Sequence, residues 1–280
     1  MKIGFIGAGK LGFSLGKYLV ENNINVRGYY SKNLDSSKEA AIFTNSKYYQ
    51  SLKSIIDDCD TIFITTPDGI IEEIWNSISE LPIENKIICH CSGSLSSSIF
   101  SNIGDHKAYG YSIHPMIAFS DKYNSHKQLK GATITIEGIK DHLDTFKDIF
   151  ESLGNKVKII SKNNKAKYHA ASVFVSNNVI ALFNTGVELL SHCGFTEEEA
   201  KESLYPLMIN NIKNIGDKGI VNSLTGPIER GDSGTVEKHL QALNNEDREL
   251  YILLSKKLIK IAKIKNVNKD YSNLEKMIGE

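Results

Sequence analysis

Proline is scarce in this chain, five in 280 residues, and arginine occurs only at positions 27, 230 and 248. Few prolines beside a 41% hydrophobic content exclude a disordered or low-complexity chain. Neither sign of charge is in excess. Lys+Arg and Asp+Glu number 33 each, so the formal net charge is zero. That balance offers no electrostatic ground for nucleic acid or an anionic membrane as partner. No run of about eighteen uncharged apolar residues is present, so no transmembrane helix is expected. The first nine residues lack the basic stretch and small-residue cleavage site of a secretory leader. Four cysteines are too few and too scattered for a disulfide scaffold. Cys59 and Cys193 stand alone. Cys89-His90-Cys91 has the composition of a metal cluster, but on a strand His90 points away from both thiols. No second cysteine pair completes a tetrahedral zinc site. No metal is expected, and the cysteines read as small buried hydrophobes of a reducing, cytoplasmic setting.

At roughly 150 residues per domain, the length predicts two domains. The first half alternates short β-rich runs with helical patterns, which argues for βαβ units and a mainly parallel sheet. Strands are expected at 2–6, 25–30, 61–65, 86–91, 108–113, 132–136 and 156–160, with helices such as 10–21 and 68–78 between them. From residue 163 onward long helical patterns replace strands. The reading is therefore an α/β Rossmann domain, doubly wound, over 1–161, followed by an all-α domain over 162–280. A polar junction at 161–164 marks the boundary. Thr196 with Glu199 spells a capping box, and Pro206 is expected to kink or end the helix it opens.

Gly7-Ala8-Gly9-Lys10-Leu11-Gly12 is a G-x-G-x-x-G directly after the apolar run Ile3-Gly4-Phe5-Ile6 and directly before an amphipathic helix. Gly7 permits the tight turn, Gly9 lets the backbone approach a pyrophosphate, and Gly12 lets helix and strand pack closely. The helix N-terminus supplies unpaired N–H groups for the phosphates. The second strand ends in Tyr29-Tyr30-Ser31-Lys32-Asn33, with no carboxylate before Asp35. An NAD enzyme places an acid there on the ribose hydroxyls. Ser31 and Lys32 instead suit a 2′-phosphate, so NADP(H) is the expected cofactor, unless Lys32 is simply a solvated turn residue. Thr65, Thr66 and Pro67 close one strand and Ser92 and Gly93 the next, on the edge where open α/β sheets bind ligands. Each could equally be turn and cap chemistry.

His114 ends the strand at 108–113 on that same edge, placed either as a general acid or as a hydrogen-bonded structural residue. On the expected helix at 163–191, His169, Ser172 and Ser176 fall within about a 60° stripe, with Asn177 on its flank. Such a stripe on a largely apolar helix needs partners, either a ligand or an internal network. Arg230 lies in the Gly/Pro-bracketed loop 224–232, before a helix expected at 235–243. In a chain where lysine supplies the surface charge, its planar fork suggests a carboxylate or phosphate. Asp232 either holds that arginine or caps the following helix.

The segments 7–12, 65–68, 92–94 and 114–116, followed by an all-helical half, resemble the 6-phosphogluconate-dehydrogenase-like superfamily. Its members include ketopantoate reductase, pyrroline-5-carboxylate reductase and prephenate dehydrogenase. More closely, Tyr168-His169-Ala170-Ala171 together with Thr225-Gly226-Pro227-Ile228, Arg230-Gly231-Asp232 and Thr235-Val236 resembles one particular family. It joins a Rossmann-like half to a C-terminal domain of unknown function, and some members are an alternative type of ketopantoate reductase. The resemblance covers nearly the whole chain. It departs from the well-known ketopantoate reductase, which uses a lysine with an asparagine one turn on. Here His169 is followed one turn later by Val173, and four residues beyond Lys165 and Lys167 come His169 and Ala171. The resemblance implies a homodimeric NADPH-dependent reductase of a small 2-oxo acid, with ketopantoate leading. His169 and His114 would act on the proton, Ser172 and Asn177 would orient the substrate, and Arg230 would grip its carboxylate. A prephenate-like or amino/imino acid dehydrogenase, or a non-catalytic NADP-binding sensor, are the alternatives.

Overall fold

The structure is a computed structural model describing residues 1–279. It divides into two compact units, Met1–Ser176 and Asn177–Glu280. The first unit runs β1 (Ile3–Ile6), α1 (Lys10–Glu21), β2 (Val26–Tyr30), α2 (Leu34–Thr44), β3 (Lys47–Tyr49), α3 (Leu52–Asp58), β4 (Thr61–Ile64) and α4 (Asp68–Ser79). It continues with β5 (Ile87–His90), β6 (Tyr109–Pro115), β7 (Thr133–Gly138), α5 (Leu143–Ser152), β8 (Lys156–Ile159) and α6 (Lys165–Val175). The strands form one sheet in the order β3-β2-β1-β4-β5-β6-β7-β8. Every neighbouring pair is parallel except β6 with β7. This is the expected Rossmann-like, mainly parallel architecture.

The central strands are buried on both faces, which is why their sequences are apolar runs. Phe5, Phe63 and Cys89 pack with Phe13 and Leu15 of α1 and with Phe146 and Phe150 of α5. Ile6, Ile62, Ile64 and Ile88 pack on the opposite face with Ile55 of α3 and with Ile71 and Trp75 of α4. Cys89 and Cys91 lie in the first of these cores, while the ring of His90 contacts Phe100 in the second. The alternation inferred for this stretch is therefore present, and all four cysteines are free thiols.

The strand β3 was not anticipated. It is three residues long, with only Tyr49 buried, too short to show a period. The sheet unit also extends beyond the expected boundary at 161, because α6 belongs with it. The side chains of Lys165 and Tyr168 reach β5 and β6 and tie the helix down. The single helix expected over 163–191 is two, α6 and α7 (Asn177–His192), interrupted at Ser176, where φ is −117° and ψ −78°. The expectation that no segment could cross a membrane is revised on length and composition alone. Lys162–His192 is long and apolar enough, although it carries Lys165, Lys167 and His169 near one end and Glu188 near the other.

The second unit contains α7, α8 (Glu197–Ser223), α9 (Pro227–Arg230), α10 (Ser233–Ala242), α11 (Asn245–Lys265) and α12 (Ser272–Met277). It is all-helical among the described residues, as expected. The Thr196–Glu199 capping box opens α8. Pro206 does not end that helix. The carbonyl it leaves without a donor belongs to Glu202, an exposed residue where water can serve. The helical dihedrals fail instead at Gly219, where φ is 78°. A small core of Ile228, Val236, Leu240, Ile259 and Tyr271 holds α9 to α12 together.

Candidate active site

The glycine loop is built as its spacing demands. Gly7 has φ 108°, and a Cβ there would stand 2.9 Å from the Thr65 carbonyl carbon. Its N–H donates to the Tyr30 carbonyl at 2.8 Å. At Gly12 a Cβ would lie 2.4 Å from Thr65 Oγ1 and 2.5 Å from the Gly7 carbonyl oxygen, so only glycine lets α1 come this close to β4. Gly9 caps α1 without any side-chain hydrogen bond, and nothing lies within 4 Å of where its Cβ would be. Ala8 is buried, Lys10 is exposed and Leu11 packs against the core. The first N–H groups of α1 are thus left for an anion, as a pyrophosphate requires.

Thr65 and Thr66 divide the roles expected of them. Thr65 Oγ1 donates to the Gly7 carbonyl at 2.8 Å and so braces the loop. Thr66 Oγ1 is buried with no hydrogen-bond partner, which a bound ligand would repair. Pro67 caps α4 and likewise leaves its first turn without a side-chain acceptor. At the end of β2, Ser31 is half-buried and Lys32 exposed. The Asn33 side chain accepts from the Asp35 and Ser36 N–H groups and opens α2. The nearest carboxylate, Asp35, lies in that helix's first turn and pairs with Lys38 at 3.7 Å.

The polar cluster lies on the adjoining edge of the same sheet. One face of β6 and β7 is apolar, with Tyr111, Ile113, Ile134 and Ile136 in the core. The other carries Ser112 and His114 opposite Glu137 and Thr135, in register. The amino-terminal turns of α6 supply partners for it. Lys165, 2% exposed, sends Nζ to the Ser92 carbonyl and to Ser112 Oγ, both at 2.8 Å. Tyr168 Oη lies 2.7 Å from His114 Nδ1. The rings of His114 and His169 stand perpendicular with centroids 6.1 Å apart. The backbone of Gly93 fits against both: a Cβ there would be 2.5 Å from His169 Nδ1 and 2.9 Å from His114 Nε2. His169 Nδ1 is buried without a partner. Beside them Ser92 Oγ donates to Asp68 Oδ2 at 2.7 Å and accepts from the Ser94 and Leu95 N–H groups.

Burial, then the Lys165 ammonium and His169, hold the His114 pKa down to about 4. At neutral pH this imidazole is uncharged. If Tyr168 donates to Nδ1, the other ring nitrogen carries the hydrogen and faces Gly93. Burial also lowers Lys165 to about 8, opposed by Glu137, Cys91 and Asp68. The site can therefore offer the uncharged His114 imidazole N–H and one sunken positive charge, enough to stabilise and protonate a developing oxyanion.

The stripe read on α6 separates into two parts. His169 lies against Gly93, whereas Ser172 Oγ donates to the Tyr168 carbonyl at 3.5 Å and Ser176 Oγ to that of Ser172 at 2.8 Å. Both serines bond to their own helix. Asn177 begins α7 in the second unit. Arg230 is exposed and ends the short helix α9, which replaces part of the loop expected at 224–232 and is held from behind. Lys265 Nζ donates to the Leu224 carbonyl at 2.7 Å, and Tyr271 Oη to that of Glu229 at 2.7 Å. Asp232 is a helix cap, accepting from the N–H and hydroxyl of Thr235. Sequence reasoning set Lys165 aside because no asparagine follows it one turn on. The signal that could have found the cluster was the alternation Tyr111-Ser112-Ile113-His114 facing Ile134-Thr135-Ile136-Glu137, a polar face on strands whose other face is core.

Residues 2–92 match the family described as NADP oxidoreductase, coenzyme F420-dependent, and residues 132–258 match a domain of unknown function, DUF2520. No curated protein matches the chain. Among solved structures, protein TM1727 from Thermotoga maritima is 26% identical, with TM-score 0.76 over 94% of this chain and 99% of that one. A reductive aminase from Aspergillus terreus in complex with NADPH and ethyl-5-oxohexanoate is 11% identical, with TM-score 0.63 over 99% of each chain. Pyrroline carboxylate reductase from Plasmodium falciparum with NADP bound is 14% identical, with TM-score 0.61 over 95% and 98%. At such identities the last two show a shared fold.

Proposed function

We propose that this chain, whose N-terminal residues carry an NADP-binding domain, is an NADPH-dependent reductase of a small 2-oxo acid, with ketopantoate the first substrate to test. The observation that supports it most is Gly93 wedged against two imidazoles beside a glycine loop whose helix N-terminus is uncapped. Gly7, Gly9 and Gly12 with the first N–H groups of α1 would hold the pyrophosphate, Thr66 and Ser92 the nicotinamide end, and Ser31 and Lys32 the 2′-phosphate. When bound, NADPH supplies the hydride that adds to the carbonyl carbon. His169 and His114 stabilise the charge appearing on the carbonyl oxygen and one of them delivers its proton, which solvent restores. Arg230 is assigned to the substrate carboxylate, whose two oxygens match its fork, and Asn177 and Ser172 to its orientation. The reading is of a cytoplasmic enzyme, its thiols reduced, working as a homodimer through its helical unit.

The test is steady-state turnover of NADPH with ketopantoate, other 2-oxo acids and a cyclic imine. The His169→Ala, His114→Ala, Arg230→Ala and Gly93→Ala variants are assayed beside the parent. Loss of one positioned proton donor should lower kcat/KM by about 10²-fold, and Arg230→Ala should act mainly on KM. Lys32→Ala should narrow the preference for NADPH over NADH. Unchanged kcat/KM in all four variants would remove the site assignment. Faster turnover of the imine would move the substrate class to C=N, since a pyrroline carboxylate reductase and a reductive aminase share the fold. NADPH binding with no turnover on any of them would leave a sensor.

A further inference from the structure

Beneath the two imidazoles, one row of the sheet is polar and closed to solvent. His90 of β5, Ser112 of β6 and Glu137 of β7 are register neighbours, at most 4% exposed. Adjacent strands lie about 4.8 Å apart, so the row is roughly 10 Å long. Lys165 enters from above and binds the middle of it through Ser112. A buried ammonium is tolerated only with hydrogen bonds and a counter-charge. The hydrogen bonds are to Ser92 and Ser112. The counter-charge in the row is Glu137, whose carboxylate is fixed by the Ser97 N–H at 2.6 Å and the Ser97 hydroxyl at 2.8 Å.

We infer that Lys165 and Glu137 are positioning residues, a charge pair set under the site that clamps the Ser92–Gly93 turn against the imidazoles and repels a proton from His114. The clamp is direct: the Ser92 carbonyl that Lys165 holds is the one preceding Gly93, the residue packed on both rings. The charged groups acting on His114 come from α6, β5 and α4. Lys165 and His169 of α6 and His90 of β5 disfavour its proton, and Asp68 of α4 favours it. Those acting on Lys165 are Glu137 of β7, Cys91 after β5 and Asp68 of α4, all favouring its charge against burial. Glu137 therefore supports the lysine's charge against burial, and the lysine adds to burial in holding His114 an uncharged donor. The assignment of a catalytic purpose to this arrangement rests on the reductase reading, but the electrostatic coupling does not.

The coupling is read by NMR on the full-length protein, without substrate. In Lys165→Met the His114 Cε1–H titration should move up from about 4 toward the ordinary histidine value. In Glu137→Gln the Lys165 Cε resonance should titrate below the parent's value of about 8, while His114 stays put in acid, where the lysine remains charged. Should Lys165→Met fail to fold, Glu137→Gln carries the test alone. A His114 titration identical in parent and Lys165→Met, or a Lys165 titration unmoved in Glu137→Gln, overturns the inference. If the reductase reading also holds, Glu137→Gln moves the basic limb of the kcat profile to lower pH. Coupling without turnover would spare the inference and sink the reading of function.

Discussion

Burial is the first cause holding both His90 and His114 neutral, and the Lys165 ammonium adds to it at both. His90 accepts the Ser92 N–H at Nδ1, 3.2 Å away, which leaves Nε2 to donate to the Ser96 carbonyl at 3.1 Å. A second proton would have to displace a backbone donor. His114 is disfavoured by burial and by the ammonium beside it. Both have folded pKa values of about 4, below the ordinary 6.5 of the unfolded chain. As pH falls under 6.5 the unfolded state takes up protons that the folded state refuses. Their contribution is therefore complete above pH 6.5 and is lost progressively as pH falls toward 4. At pH 5 the loss is about 2 kcal/mol for each imidazole. Urea unfolding at pH 7 and pH 5 measures it, and His114→Gln should flatten the slope. A pH-independent midpoint across that interval contradicts both assignments. Lys165 adds nothing to this slope, because both of its states are protonated below pH 7.

The glycines of α1 show how one helix is seated for function. At Gly16 a Cβ would lie 1.8 Å from Tyr29 Oη and 2.8 Å from its ring carbon, deep between α1 and β2. Gly16→Ala must therefore lift the helix or expel the ring, costing about 1–3 kcal/mol in denaturant unfolding. Tyr29→Phe removes the obstructing hydroxyl, which is itself buried without a partner, and should restore part of the loss in the double variant. Full stability of Gly16→Ala alone would show that α1 has slack. Among these elements the doubly buried strands were legible as apolar runs, and α1 as the helix following a glycine pattern. β3 was not, since three residues show no period. Nor was the interruption at Ser176, because helical periodicity on either side conceals a single non-helical residue. Pro206 misled in the opposite sense: its lost hydrogen bond falls at an exposed residue, where water can serve.

Across the molecule, apolar side chains are unevenly covered. The helical unit has its own core among α9 to α12, yet α7 and α8 leave Ile180, Leu182, Leu207, Ile209, Ile212 and Ile215 exposed. Exposed apolar surface of this extent marks an association site, and a closed twofold pair is the commonest solution. Sedimentation at micromolar concentration should give a dimer, and Ile212→Lys should shift it toward monomer. A monomeric parent would discard the homodimer. The local code was sufficient for the doubly buried strands, the glycine cradle, the helical character of the second half and the Thr196 cap, because each is written in neighbours a few residues apart in the chain. The constellation around Gly93 obeys no such rule. Ser92, Ser112, Glu137 and Lys165 meet only when β5, β6, β7 and α6 are assembled, and burial, which arises from that assembly alone, sets the protonation of His114.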